Sequence, residues 1–235
     1  MLEDKIIFAI FDFDGTLTEG HLWKGIAAHH KAKKIKRWSL FTYLARHIPL
    51  WLASKIKVYS EEKNRREWGE DLAVLFKGFS LKKTKEVFEW ITIEYFMPLL
   101  RKDMLGLLKE HQKQGHKIVL LSGMFVEFLE IVGSKIGADY VQGTRLAFTD
   151  NVCSGTIIQP LSFGKGKVKL LKDLILNNQL NVDLKNSFAY ADSYYDEYIF
   201  EMVGNPIAVN PDTKLRVIAE RERWKIITSE PAAMI

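Results

Sequence analysis

Asp12-Phe13-Asp14-Gly15-Thr16 sets two carboxylates two residues apart, directly after an apolar run at residues 6–11. Crowded acids at the end of a buried strand repel one another unless a cation or a shared proton relieves them. A hard, oxygen-preferring ion such as Mg²⁺ suits carboxylates and a backbone carbonyl. One acid of such a pair can attack phosphorus and form an acyl phosphate, and the second can protonate the leaving oxygen. Asp12 is therefore the candidate nucleophile and Asp14 the candidate general acid/base. The competing explanation is a plain Asp-Gly turn, which is common after strands. The strand before the pair and Thr16 after it favour the chemical reading.

Three further places qualify. Ser122-Gly123 follows the apolar residues 118–121. A hydroxyl and the free amides of a following helix start make an anion site, although serine is also an ordinary N-cap. Gly164-Lys165-Gly166-Lys167-Val168 puts lysines at a helix opening, where an ammonium can offset phosphoryl charge; a solvated surface lysine is the alternative. It is not a P-loop, because Leu161 and Val168 stand where that motif needs Gly and Ser or Thr. Asp192-Ser193-Tyr194-Tyr195-Asp196 follows residues 187–191 and holds two acids that can face one cation. An N-cap Asp with a first-turn Asp complementing the helix dipole explains the same spacing. Each is weak alone. Taken in order (acid pair, serine, lysine, acid pair) they specify one site.

The elements that must position these groups follow from periodicity. Strands at residues 6–11, 117–121, 140–141, 187–191, 206–209 and 224–227 alternate with helices at 101–114, 125–132, 166–177, 194–203 and 212–222. A β-hairpin is expected over 146–158, turning near Asp150-Asn151. This alternation predicts an α/β fold, a Rossmann-like parallel sheet core with helices on both faces. Ligands in such sheets bind at the carboxyl ends of the strands. Between Gly20 and Met97, Trp, Lys, Leu and Phe recur at helical spacing with few glycines. Three or four helices are expected there, with Pro49 marking a helix start or break and Gly78 a helix end. The expected organisation is a discontinuous core, residues 1–18 and 98–235, with an inserted α-helical cap domain at 19–97.

The motif order resembles the haloacid dehalogenase (HAD) superfamily. It is most similar to the phosphoserine-phosphatase-like subfamily, whose helical cap lies between the first and second motifs. The resemblance covers nearly the whole chain and takes in the tail Val209-Asn210-Pro211-Asp212. It implies an Mg²⁺-dependent phosphomonoester hydrolase with an aspartyl-phosphate intermediate. It also implies that Asp12 is the nucleophile and that Asp14 is the acid/base and lends its backbone carbonyl to the metal. Ser122 and the Gly123 N–H would hold phosphate oxygens, and a lysine would neutralise charge. Lys167, in the Gly-Lys-Val context, is preferred to Lys165. Asp192 would ligate the metal and Asp196 support its shell, completing a metal set of Asp12, Asp14, Asp192 and Asp196.

The chain departs from phosphoserine-specific members. His21 stands where they carry a glutamate that meets the substrate amine. Arg65 and Arg66 align poorly with their cap arginine. Ala-Asp-Ser-Tyr-Tyr-Asp replaces their Gly-Asp-Gly-x-Asn-Asp. The expected substrate is a small organic phosphate other than phosphoserine, with His21 as a specificity residue.

Composition sets the outer limits. The 235 residues are 47% hydrophobic and 27% charged, as in a soluble globular protein. The single cysteine, Cys153, rules out an intramolecular disulfide and reads as a small residue in a strand or turn. The formal net charge is +5, and residues 20–60 hold nine Lys and Arg and no acid. Such asymmetry points to an anionic partner near that face. Residues 38–58 mix aromatics, leucines and lysines, either as a packed helix pair or as an amphipathic face lying on anionic lipid. His29-His30 invites a metal reading, but imidazoles facing solvent or substrate are preferred. With no long apolar run and no signal-peptide core, a cytoplasmic location is expected, with peripheral membrane contact through the basic cap. The rival readings are a scaffold protein that holds anionic lipid, and a phosphotransferase or phosphomutase sharing the first half-reaction. No nucleic-acid motif occurs, so no nucleic-acid partner is expected.

Overall fold

Phe8-Ala9-Ile10-Phe11 is apolar at every position, and it forms the strand β1 (Phe8–Phe11), buried on both faces. That is the pattern of a central strand in a parallel sheet. The structure, a computed structural model, describes residues 5–159 and 161–230. After β1 the chain leaves the sheet for a helical insert: α1 (Leu22–Ala32), α2 (Arg37–Lys55), α3 (Glu61–Asp71) and α4 (Leu81–Ile91). It returns through α5 (Lys102–Lys113), β2 (Lys117–Phe125), α6 (Val126–Ile136) and β3 (Tyr140–Thr144). An antiparallel hairpin of β4 (Leu146–Thr149) and β5 (Val152–Ile157) follows. Then come α7 (Lys165–Asn177), β6 (Phe188–Ala191), α8 (Glu197–Phe200), β7 (Asn205–Val209), α9 (Thr213–Arg221) and β8 (Lys225–Ile227).

The main sheet has six parallel strands in the order β3-β2-β1-β6-β7-β8. The expected α/β class and Rossmann-like parallel core are therefore present. Strand side chains alternate between faces, and the two faces feed two cores. Ala9, Phe11, Ile118 and Leu120 pack with Met104, Phe128 and the insert. Phe8, Ile10, Val119 and Leu121 pack with Leu171, Ile199 and Leu215 from α7, α8 and α9. Because β2 and β6 both flank β1, the chain direction across the sheet reverses at the β1/β6 pair. A crevice opens outside the carboxyl ends of strands at such a switch point.

Thr18 and Leu100 form an antiparallel bridge, so the insert leaves and re-enters the core at adjacent points. It is held down on its far side by the hairpin: the Gly78 N–H donates to the Cys153 carbonyl (2.8 Å) and the Cys153 N–H to the Phe79 carbonyl (2.8 Å). Cys153 is accordingly a buried strand residue.

Several local expectations are corrected. Pro49 neither starts nor breaks a helix but lies inside α2, where the proline costs one backbone hydrogen bond. His29 and His30 face neither solvent nor substrate. Both are buried, with their Nδ1 atoms 3.1 Å apart and His30 Nε2 3.3 Å from the Leu75 carbonyl oxygen. Burial pushes the His29 imidazole down to about 4, with His30 beside it adding to the effect. Gly133 lies within α6, whose end is Gly137 in the left-handed region. The expected helix at 194–203 is split into a 3₁₀ turn, Tyr194–Asp196, and the short α8. Among the described residues, no helix is long and apolar enough to cross a membrane.

Candidate active site

Asp12 is the first residue past β1, and Asp192 the first past β6. The pairing of Phe11 with Tyr190 brings them together, and the Asp12 N–H donates to the Tyr190 carbonyl (2.9 Å). Both acids therefore stand at the switch point. Gly15 has φ +81°, and a Cβ there would lie 2.2 Å from Asp192 Oδ2. Only glycine permits this turn to pass beneath the Asp192 carboxylate. The 3₁₀ turn that replaces the first turn of the expected helix curls Asp196 back toward the same point. Asp12, Asp192 and Asp196 each offer a carboxylate oxygen within 4.8 Å of the others.

Lys167 projects from the first turn of α7 into this group. Its Nζ is 2.9 Å from Asp12 Oδ1 and 2.5 Å from Asp196 Oδ1, all three side chains being buried. Lys165 points elsewhere, its ammonium lying 5.4 Å from the centre of the Tyr198 ring. Burial alone would lower the Lys167 pKa, but the Asp12 and Asp196 carboxylates outweigh it and hold the ammonium charged. Asp196 is pushed up to about 6 by burial, with Lys167 pulling the other way and Asp12 adding to the rise. Asp192 is raised by burial and by the charges of Asp12, Asp196 and Asp14. One lysine thus faces three acids and leaves negative charge uncompensated.

A hard cation fits that deficit. The candidate ligands are all oxygens, and Asp192 Oδ1 is buried with no hydrogen-bond partner. The Asp14 carboxylate is not in this group. It turns toward the insert, where Asp14 Oδ1 lies 3.2 Å from His21 Nδ1.

Ser122 and Gly123 border the same cavity as Asp12 and Lys167. They do not sit at a helix start as expected, because β2 runs on to Phe125 through an irregularity in its pairing with β3. The Ser122 hydroxyl is buried and accepts from the Met124 N–H at 3.5 Å. Thr144 Oγ1 donates to the Gly123 carbonyl (2.8 Å) and accepts from the Ser162 N–H (3.0 Å). These bonds fasten the Ser122-Gly123 corner to β3 and to the segment leading into α7.

The cavity measures about 800 Å³. Its floor is the set Asp12, Asp14, Ser122, Gly123, Lys167 and Asp196, and its roof comes from the insert, including Trp23, Trp51 and Trp68. A second hollow of about 740 Å³ lies by Phe188, Asn205 and Lys225, at the amino ends of β6, β7 and β8. Glu201 and Glu222 line it, but among the described residues it holds no cluster of three acids like that at Asp12, so the first cavity is the functional candidate.

Sequence reasoning missed three contributors. Arg65 of α3 lines the cavity; its Nη1 donates to Ser193 Oγ (3.3 Å), and its guanidinium lies 5.0 Å from the Tyr195 ring centre. The available signal was the spacing Glu61, Asn64, Arg65, Trp68, Leu72, which marks one face of a helix; all five line the cavity. Glu61, just past the acid-free stretch at residues 20–60, brings an insert carboxylate to the cavity lining. Asp212 caps α9 by accepting from the Leu215 N–H (2.8 Å) and also accepts from the Tyr194 N–H (2.9 Å). It thereby fixes the loop that carries Asp192 and Asp196.

A parallel sheet with acids gathered outside its switch point, one buried lysine among them and a helical roof above, is an α/β fold whose oxygen cluster suits a cation. The chain belongs to the haloacid dehalogenase-like hydrolase family, whose model matches residues 9–200. It is 30% identical over 156 residues to the "Inhibition of morphological differentiation protein" of Streptomyces azureus, covering 66% of this chain and 56% of that protein. It is 28% identical over 229 residues to a Mycobacterium tuberculosis protein named phosphoserine phosphatase SerB1, covering 95% and 71%. A Bordetella pertussis structure of unknown function superposes with a TM-score of 0.80 at 22% identity, over 96% of this chain and 99% of that one. A phosphoserine phosphatase structure, solved as an analogue of the phospho-aspartyl intermediate, gives 0.63 at 18%, over 97% and 95%. The resemblance read from the motifs therefore holds for family and fold.

Proposed function

We propose that the chain is an Mg²⁺-dependent phosphomonoester hydrolase that passes the phosphoryl group to Asp12 and then to water. The observation that carries this reading is the position of Asp12. It stands at the sheet's switch point, 2.9 Å from a buried lysine and grouped with Asp192 and Asp196, and it lines the cavity floor. The Mycobacterium relative's name supports a phosphatase activity.

In this reading the substrate phosphate settles between Asp12 and the Ser122-Gly123 corner. An Asp12 carboxylate oxygen attacks phosphorus, and the bond from phosphorus to the ester oxygen breaks as the new one forms. Asp14 gives its proton to the departing oxygen. Water then attacks the aspartyl phosphate and gives a proton to Asp14, which releases inorganic phosphate and restores Asp12. His21, 3.2 Å from Asp14 Oδ1, steadies that carboxyl group. The Lys167 ammonium offsets charge on the phosphoryl oxygens. Asp12, Asp192 and Asp196, with the Asp14 backbone carbonyl, would hold Mg²⁺, and its positive charge would let a phosphate dianion approach these acids. The segment 19–97 serves as a cap that closes the site over its substrate.

Removing the metal should therefore silence the enzyme. Phosphate release from a panel of phosphomonoesters is expected to fall to background in excess chelator and to return when Mg²⁺ is restored. Full turnover with the chelator present would remove the metal from the mechanism.

A further inference from the structure

The cavity is far larger than its polar floor requires, and Leu22, Trp23, Ile48, Trp51, Trp68 and Leu72 give its roof a large apolar area. Pockets of this size hold whole organic ligands. Trp23 and Trp68 meet edge to face with ring centres 5.8 Å apart. Trp68 is in turn fixed by Tyr43, whose hydroxyl donates to the Trp68 carbonyl (2.7 Å), and by His47, 5.4 Å from it between ring centres. This wall is preformed. Of the polar groups on the insert side, Arg65 is engaged with Ser193 and Tyr195 and Glu61 with Lys214 at 3.8 Å, while Asn64 Oδ1 is buried without a partner.

The apolar lining does not stop at the mouth. Ile48 and Trp51 line the cavity, yet they are 44% and 45% exposed. They continue along α2 into Leu52 and, just past its end, Ile56, which are 53% and 73% exposed. The spacing 48, 51, 52, 56 is one stripe on a helix. An apolar stripe thus leads from the cavity mouth at Ile48 and Trp51 toward the outer surface. Basic groups flank it, with the Lys24 and Lys55 ammonium groups each 5.8 Å from a tryptophan ring centre. A small polar phosphate ester would leave this path unused.

Building on the phosphatase reading, we infer that the substrate is a phosphomonoester bearing a long alkyl chain. Its phosphate rests on the Asp12 floor, its chain lies against Trp23, Trp68 and Trp51, and it enters along the α2 stripe.

The test is kcat/KM for n-alkyl phosphates from ethyl to dodecyl, each below its micelle concentration and with Mg²⁺, with phosphoserine alongside. Each methylene buried in the channel should raise kcat/KM by about two- to fourfold until the chain reaches the mouth. The Trp51→Ser variant, checked for an unchanged melting temperature, should lose the gain for the longer chains. Efficient hydrolysis of ethyl phosphate or phosphoserine with no rise along the series overturns the alkyl-chain inference and leaves the phosphatase standing. No hydrolysis of any ester in the series overturns both.

Discussion

Asp12→Asn should lower phosphate release by about four orders of magnitude or more, the scale expected when a catalytic nucleophile is lost. The amide is nearly isosteric with the carboxylate, so the packing around β1 is retained, but its nitrogen and neutral oxygen cannot form the acyl phosphate. The same substitution should not destabilise the protein. Asp12, Asp192 and Asp196 crowd around one ammonium, and removing one negative charge relieves repulsion among the remaining acids. The amide oxygen can still accept from Lys167. Steady-state kinetics and a thermal melt separate the two effects: activity vanishes while the melting temperature holds or rises. A well-folded variant that turns over like the wild type would exclude Asp12 as nucleophile.

Lys167→Met has the second largest expected effect, and it acts on stability as well as rate. The methionine fills a similar volume but leaves Asp12 and Asp196 buried without their ammonium, which lies 2.9 and 2.5 Å away. Breaking a buried ion pair from one side costs roughly 3–5 kcal/mol. In chelator, the variant should therefore melt well below the wild type. Mg²⁺ binding at the acids should recover part of that loss, because a ligand that binds only the folded state stabilises it. Activity should not recover with it, since the charge on the phosphoryl oxygens remains unopposed; a fall of about 10²–10³-fold in kcat is expected. Unchanged melting and unchanged kcat would place Lys167 outside the mechanism.

What the sequence made legible was local. Four consecutive apolar residues before Asp12 have one good use in an alternating strand-helix pattern, and they serve it as the buried central strand β1. The Asp150-Asn151 turn was legible because positive φ at both positions suits those residues, and they have φ 49° and 62°. The lysine register was harder. Residues 165 and 167 lie about 200° apart around a helix, so only one can face the acids, but which one depends on how α7 docks. Ser122 was misplaced at a helix start because Met124 and Phe125 suit either a strand or a helix. The burial of His29 and His30 and the reach of Arg65 into the cavity depend on the packing of the insert against itself and on the core. No local pattern encodes that packing, and a polar residue paired in the interior reads like one left in solvent.

The most direct test of the central claim is chemical trapping at Asp12. Enzyme turning over a phosphomonoester with Mg²⁺ is quenched, reduced with borohydride and mapped by peptide mass spectrometry. Borohydride reduces an acyl phosphate to the alcohol, so homoserine at position 12, absent from enzyme quenched without substrate, is the expected result. Sustained turnover with position 12 unmodified, or reduction found at another residue instead, would contradict an aspartyl-phosphate mechanism at Asp12.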